Sequence, residues 1–470
     1  MKKNHKNVVV LGAGPGGYSA AFYLADHGYS VTLIEQDAVG GVCLNRGCIP
    51  SKALLNVAGL IDKAKKSQAR GVQFSAPIID VDALKAWKNG VIGQLQSGIQ
   101  SLARARGVEV IQGRAAFEDN QTIRVELDSG QDFLTFDYAI IATGSRPIIP
   151  PVMDLGNPRI MTSTEALELA DIPQTLLVVG GGYIGMELGS VYASLGSAVS
   201  VVEALPTILA GADTDLVKRF TAHVSPKMTA MYLAHSVKSM ATKGKQIEVV
   251  MATPDGDTIT HCYDKVLVSV GRRPNSDNMS LDNTTVSCDD KGFVTVNANG
   301  QTSVPTIYAI GDVAGGVQLA HKATKEAKIV AHHILNEPSI PLKELVIPAV
   351  VYTDPEIAWV GITEKEAREG NTPIQVTTFP WAANGRSLTM DASDGITKII
   401  ADPGTGRVLG VGIVGEHAGD LISEAALAVQ SGMTVDDLAE TIHPHPTLSE
   451  TLMEAAEHAL GVCTHLPPKK

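Results

Sequence analysis

The sequence predicts an α/β protein, with two Rossmann-like dinucleotide-binding folds in series and a separate α+β domain at the C-terminal end. Three observations predict it. A strand, a Gly-x-Gly-x-x-Gly triplet, a helix, a second strand and an acid occur in that order near the start of the chain, and the same order recurs from Leu176. Glycine is abundant, at 45 of 470 residues, while aromatics make up only 4%, which suits many tight strand-to-helix turns. From about Pro348 the pattern changes to short separate apolar runs, with no triplet of the fingerprint kind set between strand and helix.

A chain of this length provides for about three domains. Its net charge of −12, with Lys and Arg dispersed rather than in runs, argues against nucleic acid or an anionic membrane as partner. Five cysteines in 470 residues do not make a secreted disulfide scaffold, and a cytoplasmic setting fits better. Met1-Lys2-Lys3 resembles the start of a signal peptide, but the apolar run behind it breaks at once into glycines and no cleavage site follows. No stretch reaches 18 apolar residues, so no membrane span is expected.

Val8-Val9-Val10-Leu11 is a continuous, mostly β-branched run, the pattern of a parallel strand buried on both faces. Gly12-x-Gly14-x-x-Gly17 follows directly, then a helical stretch over 18–27, then Val31-Thr32-Leu33-Ile34 ending at Glu35. In a dinucleotide fold the glycines allow the tight turn and the close approach of a pyrophosphate to a helix N-terminus. The acid accepts from a ribose 2′-hydroxyl. A glycine triplet alone is only a flexible turn; strand, triplet, helix, strand and acid in register point to a ligand.

Residues 40–52 read Gly-Gly-Val-Cys-Leu-Asn-Arg-Gly-Cys-Ile-Pro-Ser-Lys, with four residues between Cys43 and Cys48. A disulfide needs Cα atoms within about 7 Å. This spacing meets that if the chain coils, and Gly40, Gly41 and Gly47 supply the freedom. Pro50 suits the first turn of a helix that Ala53-Leu54-Leu55 continues. Cys48 then falls near a helix N-terminus, where the dipole favours thiolate. The segment reads as a redox-active dithiol/disulfide, with a structural pair of buried thiols as the competing reading. Half of a zinc site is disfavoured, because Cys262, Cys288 and Cys463 are scattered and form no second pair.

Helical periodicity is expected over 58–68 and 81–106, and short strands over 108–117 and 122–136. The segment 138–147 is an apolar strand ending in Thr143-Gly144-Ser145-Arg146-Pro147, and 263–274 echoes it, ending in Gly271-Arg272-Arg273-Pro274. Each reads as a strand returning the chain from one nucleotide fold, unless the two are unrelated edge strands. Between them the fingerprint recurs: a strand over 176–179, Gly180-x-Gly182-x-x-Gly185, a helix over 186–195, and a strand over 199–202 ending at Glu203. In both copies the acid follows the first glycine by 23 positions. Two folds imply two dinucleotides, or one and a relic. A carboxylate accepts from a free 2′-hydroxyl but repels a 2′-phosphate. The first arginine after Glu203 is Arg219, so the second site is expected to prefer NAD over NADP.

Residues 304–312 form another apolar strand ending in Gly311-Asp312, with a helix expected over 320–335. Asp312, at a strand's C-terminal end, is placed to accept from a ligand hydroxyl; a helix N-cap is the plainer reading. Beyond Pro348, runs at 349–352, 374–379, 397–400 and 408–414 suggest an antiparallel sheet, with helices over 421–431 and 448–460. The last helix opens from His443-Pro444-His445-Pro446-Thr447-Leu448-Ser449-Glu450. Thr447 reads as its cap and Glu450 as its third residue. A histidine between prolines is held stiffly, and Glu450 can orient the His445 imidazole and raise its basicity. A lone histidine is more often structural, but the dithiol gives this one a thiol to deprotonate.

Together these residues closely resemble the pyridine nucleotide–disulfide oxidoreductase family over nearly the whole chain. The redox segment, both fingerprints, Ala309-Ile310-Gly311-Asp312 and His445-Pro446-Thr447-Leu448-Ser449-Glu450 stand in family order. The resemblance implies an FAD-binding domain over 1–150, an NAD-binding domain over 151–275, a central domain over 276–347 completing the FAD site, and a dimerisation domain over 348–470. It implies a cytoplasmic homodimer, without metal, that reoxidises dihydrolipoyl groups of 2-oxo acid dehydrogenase or glycine cleavage complexes. Its partner is then a lipoyl-bearing carrier or acyltransferase core, and electrons pass through the Cys43–Cys48 disulfide and FAD to NAD⁺. Gly12, Gly14, Gly17, Glu35, Lys52, Thr143, Gly144, Asp312 and Ala320 are expected to hold FAD, with Glu35 on the adenosine ribose and Asp312 on the ribitol. Gly180, Gly182, Gly185, Glu203 and Gly271 are expected to hold NAD. By the same resemblance Lys52 pairs with Glu187 near the flavin, Cys48 faces the flavin, and Cys43 exchanges with substrate. His445 is the base, oriented by Glu450 and supplied by the other subunit.

Three positions depart from the usual family pattern. Gln318 stands where Met is usual before Leu-Ala-His, Ala327 where Gly is usual, and Tyr183 matches glutathione reductases, where an aromatic gates the nicotinamide pocket. They bear on nicotinamide affinity and flavin potential. Other members of the family are the nearest rivals. A glutathione reductase calls for basic residues where Glu203 stands, and a mercuric reductase for a vicinal cysteine pair where Cys463 is alone. A structural adapter with a retained flavin is the rival from another class, and the Cys43/Cys48 and His445/Glu450 sets argue against it.

Overall fold

The computed structural model describes residues 6–467; Met1-Lys2-Lys3 lie outside them. The first unit is a five-stranded parallel sheet in the order Ile307–Ala309, Tyr138–Ile141, Asn7–Leu11, Ser30–Glu35, Glu109–Gln112. Val8, Val9, Val10 and Leu11 are all buried, as their β-branched run requires. The helices Pro15–Asp26 and Ala320–Leu335 lie together on one face, sharing a core with Ala20, Leu24, Ala327 and Val330. The edge strand at Ile307 enters this sheet only after the chain has built the second unit. Residues 276–347 therefore complete the first sheet rather than stand apart. Gly17 sits where a Cβ would meet the Gly12 carbonyl oxygen at 1.8 Å, so the helix reaches the strand only without a side chain there.

The second unit repeats the design. Its parallel strands run Ala230–Leu233, Ala198–Glu203, Thr175–Val179, Lys265–Val268, Ile160–Met161. The structure corrects the reading of 263–274 as one strand. Asp264 interrupts it by accepting from the Thr175 N–H and hydroxyl. Before it, Thr258–Tyr263 belongs to an antiparallel sheet with Ser236–Lys243 and Gln246–Ala252, a sheet not anticipated from the sequence. This sheet lays Ile247, Val249 and Met251 on Leu177 and Val179. After it, Arg272–Pro274 pairs with Ser145–Pro147. The two strand ends that echo each other in sequence thus hydrogen-bond to one another.

The C-terminal domain is a five-stranded antiparallel sheet in the order Ala349–Val351, Glu356–Gly361, Val408–Gly415, Ile396–Ala401, Gln375–Pro380. Glu356–Gly361 is the strand that sequence reading missed. It holds only four apolar residues between Pro355 and Gly361. The helices Ala418–Ser431 and Glu450–Leu460 cover the sheet. Among the described residues no helix is long and apolar enough to cross a membrane.

Lys398 joins this domain to the second unit. Its side chain is 0% exposed, and its ammonium meets Asp213 at 2.8 Å, Asp215 at 2.8 Å and Glu364 at 2.5 Å. Removing one partner of a buried ionic network leaves uncompensated charge. Lys398→Ala is expected to lower unfolding free energy by about 3–5 kcal/mol, seen as a lower denaturant midpoint. Lys398→Arg should recover part of it.

Candidate active site

The redox segment folds as a short helix, Gly41–Arg46, and the start of a long one, Cys48–Lys66, joined at Gly47. Gly40 and Gly41 have φ of +97° and +59°, a conformation that glycine adopts without strain. A Cβ on Gly41 would also lie 2.7 Å from the Gly14 Cα. The turn that coils the cysteines together is therefore pressed against the first fingerprint. Cys48 is the first residue of its helix, as expected. The two sulfurs stand against each other, with the Cys43 thiol donating to Cys48.

That hydrogen bond separates the two acidities. It raises the Cys43 thiol, as burial also does. It lowers Cys48 from 9.0 to about 7 against the opposing effect of burial, and the Lys52 ammonium lowers it further. A thiol whose folded value is depressed is ionised above that value and protonated below it. Its contribution to stability is present above 9.0 and fades as pH falls through about 7. In the reduced protein, thiolate absorbance in the ultraviolet should rise with a midpoint near pH 7. Cys43→Ala should move that midpoint upward.

Lys52, one helical turn beyond Cys48, reaches across to the second unit. Its ammonium is 3.1 and 2.9 Å from the Glu187 carboxylate oxygens. Glu187 is only 3% exposed and sits on the helix Tyr183–Leu195 of the second fingerprint. The sequence held no signal for its third partner: the Tyr352 N–H of the C-terminal domain donates to Glu187 at 3.0 Å, and the Tyr352 ring lies 4.5 Å under the Lys52 ammonium. Three parts of the chain thus hold one ion pair.

The cysteines, Lys52 and Glu187 line one cavity of about 400 Å³, together with Gly12, Gly14, Glu35, Thr143, Gly144, Asp312 and Ala320. Glu35 accepts from the Ala13 N–H at 2.8 Å and the Asp37 N–H at 3.0 Å, which aims it across the turn and leaves acceptor capacity for a hydroxyl. Asp312 is not a helix cap: its short helical turn is capped from Ile310, and its carboxylate accepts from the Ser145 hydroxyl. Ser145 in turn accepts from Arg272 Nε at 2.8 Å. Ser145 and Arg272 come from the paired strand ends and were not singled out in the sequence. Behind Asp312, the Gly311 N–H donates to the buried Glu326 carboxylate at 2.6 Å.

The residues present fit a flavin dinucleotide. A Cβ on Gly14 would meet only the Gly41 Cα, at 3.9 Å, and would otherwise fill the space before the N-terminus of the helix Pro15–Asp26. The amide nitrogen of Gln318, a residue of the cavity wall, is buried without a protein partner. Glu35 and the dithiol stand in one continuous cavity. Gly17 lies outside it and serves helix–strand contact instead.

The second fingerprint repeats the geometry. Glu203 accepts from the Gly181 N–H and the Leu205 N–H, both at 2.7 Å. A Cβ on Gly185 would meet the Gly180 carbonyl oxygen at 2.1 Å, whereas Gly182 faces open space at the N-terminus of the helix Tyr183–Leu195. Gly180, Gly182, Gly185, Glu203 and Gly271 lie outside the dithiol cavity, which Tyr183, Ile184, Glu187 and Leu188 border from this unit. An extended nicotinamide dinucleotide fits that disposition: the turn for its pyrophosphate is behind, and the cavity wall is ahead.

His445 is elsewhere. Its Nδ1 is 2.8 Å from Glu450 Oε1 and its side chain is 74% exposed; it does not line its own chain's cavity. The expected cap is corrected: Ser449 precedes the helix and Glu450 is its first residue, while Glu450 Oε2 accepts from the Thr447 N–H at 2.7 Å. One carboxylate therefore fastens both the loop and the imidazole. His443, two residues earlier, is likewise held by Glu424, at 2.7 Å.

Comparison with known proteins gives one consistent result. The family described as pyridine nucleotide-disulphide oxidoreductase matches residues 6–327, and its dimerisation domain matches 347–456. Dihydrolipoyl dehydrogenase of Vibrio cholerae is 44% identical over 472 residues, covering 100% of this chain and 99% of the relative. That of Haloferax volcanii is 43% identical over 463 residues, 97% of each. Among solved structures, LpdA from Mycobacterium tuberculosis superposes with a TM-score of 0.89 at 29% identity, covering 96% of this chain and 99% of its own. The HOCl-induced flavoprotein disulfide reductase RclA from Escherichia coli does so with 0.86 at 28%, again covering 96% and 99%.

Proposed function

We propose the reaction from this premise: the chain belongs to the pyridine nucleotide-disulphide oxidoreductase family. It is an oxidoreductase with FAD and NAD as cofactors, and it oxidises protein-bound dihydrolipoyl groups to the lipoyl disulfide. The observation that carries this reading is the convergence of the Cys43/Cys48 dithiol and the buried Lys52–Glu187 pair on one cavity. The full-length relatives named dihydrolipoyl dehydrogenase support the substrate.

Gly12, Gly14, Glu35, Thr143, Gly144, Asp312 and Ala320 hold FAD, and Gly180, Gly182, Gly185, Glu203 and Gly271 hold NAD. When bound, the two dinucleotides supply the hydride chemistry that returns the dithiol to disulfide. The thiol exchange belongs to the chain itself. His445 Nε2 takes the proton of one dihydrolipoyl thiol. The resulting thiolate attacks Cys43 Sγ, the Cys43–Cys48 bond breaks, and Cys48 leaves as a thiolate beside Lys52. Cys43 is then joined to the lipoyl group. The second lipoyl thiolate attacks the lipoyl sulfur of that bond and expels Cys43, which His445 protonates. The lipoyl group has lost two electrons, and the pair has gained them as one thiol and one thiolate. The remaining proton passes through His445 to solvent. The dimerisation domain supports a homodimer, in which the exposed His445–Glu450 pair of each subunit serves the dithiol of the other. A lipoyl-bearing carrier or acyltransferase core presents the substrate.

The test compares NADH with NADPH in the reduction of lipoamide, glutathione disulfide and Hg²⁺ by the purified flavoprotein. Lipoamide with NADH should be preferred. Preference for glutathione disulfide or Hg²⁺ with NADPH would replace this reading by another member of the family.

A further inference from the structure

The loop before the last helix carries two histidines and turns them opposite ways. The His445 side chain is 74% exposed, whereas that of His443 is 4% exposed. Only His445 has a part in the thiol exchange. The interior ring meets two partners that can only accept. Its Nδ1 lies 2.8 Å from the Thr441 carbonyl oxygen, and its Nε2 lies 2.7 Å from Glu424 Oε1. A neutral imidazole has one N–H and one lone pair, so it satisfies one of these oxygens and turns a lone pair on the other. An imidazolium donates to both.

The surroundings favour that charge. The charged groups facing the ring are Glu424, on the helix Ala418–Ser431, and Glu450, at the head of the last helix. Each raises its proton affinity, as the Thr441 carbonyl does, against the opposing effect of burial. The bond to Glu424 spans 19 positions and ties the incoming limb of the loop to a helix packed on the C-terminal sheet. The outgoing limb is fastened separately. The Asn384 amide donates to the Thr447 carbonyl at 3.1 Å, and the Thr447 N–H donates to Glu450 at 2.7 Å. His445 stands between these two moorings.

We propose that His443, held as an imidazolium by Glu424, is a positioning residue for His445: it moors the incoming limb of the loop that presents the base to the dithiol of the other subunit. This role rests on the reading of His445 as that base. While the ring is charged, both of its bonds hold. When it loses its proton, one bond gives way to a lone pair facing an oxygen, and the loop slackens. A group whose proton affinity is raised by folding contributes fully below its ordinary value of 6.5, and the contribution is lost as pH rises through the raised value. The mooring therefore fails on the alkaline side.

Two measurements on the holoenzyme test it. Histidine labelled with ¹⁵N in the ring reads the charge directly. One imidazole should keep both nitrogens protonated above pH 6.5, and its signals should vanish in His443→Gln. Absence of such a ring, or its survival in His443→Gln, would overturn the proposal. The second measurement is kcat/KM for dihydrolipoamide against pH. Glu424→Gln removes the paired charge and should move the alkaline decline down by about one pH unit or more, so that the variant falls behind the parent as pH rises. His443→Gln, whose amide donates at every pH, should lower kcat/KM by about 10- to 100-fold and lose the decline that His443 causes. Beside His445→Ala, Glu424→Gln should cost nothing further, since no base is left to position. An unmoved decline in Glu424→Gln, or its full additional loss beside His445→Ala, would overturn the role. Unchanged turnover in His445→Ala alone would instead overturn the reading on which the role rests, and the ring-nitrogen signals tell the two failures apart.

Discussion

Cys48→Ser is expected to reduce lipoamide turnover by about four orders of magnitude or more while leaving the fold intact. Serine matches cysteine in size, and Cys48 occupies the first position of its helix, where a hydroxyl is well tolerated. What disappears is the sulfur–sulfur bond that accepts the electron pair, and no neighbouring cysteine can replace it. Cys262, Cys288 and Cys463 lie outside the cavity wall. The measurement is NADH-dependent lipoamide reduction beside the thermal unfolding midpoint. An unchanged midpoint with lost turnover is the expected combination. Residual activity of more than a few per cent of the parent, at full flavin content, would show that the pair is structural.

His445→Ala is expected to lower kcat/KM for dihydrolipoamide by about 10²- to 10⁴-fold, the range for losing a positioned base. The loss should shrink as pH rises toward the substrate thiol's own ionisation, because the substrate then arrives as thiolate. The unfolding midpoint should not move, since the imidazole is 74% exposed. Glu450→Gln should fall in the same direction by a smaller factor, because the amide keeps a hydrogen-bond acceptor for Nδ1 but orients the ring less firmly than the carboxylate does. Since His445 lies away from its own chain's cavity, the decisive measurement mixes two inactive proteins. Subunits carrying Cys48→Ser and subunits carrying His445→Ala should regain activity when exchanged into mixed dimers. Each mixed dimer then holds one site with both groups intact. Failure to regain activity after demonstrated exchange would place the base within its own subunit.

What could be read in advance follows a physical pattern. The parallel strands at Val8 and Leu176 were legible because burial on both faces demands an unbroken apolar run. The sheet at Ser236–Lys243, Gln246–Ala252 and Thr258–Tyr263 was not. It is half exposed, and its alternating pattern is diluted by Thr, Lys and His on the outer face. The strand Glu356–Gly361 was lost for a simpler reason, its brevity between Pro355 and Gly361. Among site residues, those whose chemistry is local announced themselves: two cysteines at a fixed spacing, and glycines before a helix. Ser145, Arg272 and Tyr352 did not, because an ordinary serine, arginine or tyrosine acquires its role only from what it touches.

By itself, then, the order of residues determined the class of fold, the two nucleotide turns and the identity of the redox pair. Each of these rests on interactions within some two dozen neighbouring positions, where spacing dictates geometry. The tertiary structure made Cys43 the hydrogen-bond donor to Cys48, and it brought Lys52 to Glu187 across 135 positions. It also turned His445 away from its own chain's cavity. Those outcomes depend on burial and on the meeting of three separately folded regions, and neither quantity is encoded in any one stretch of chain.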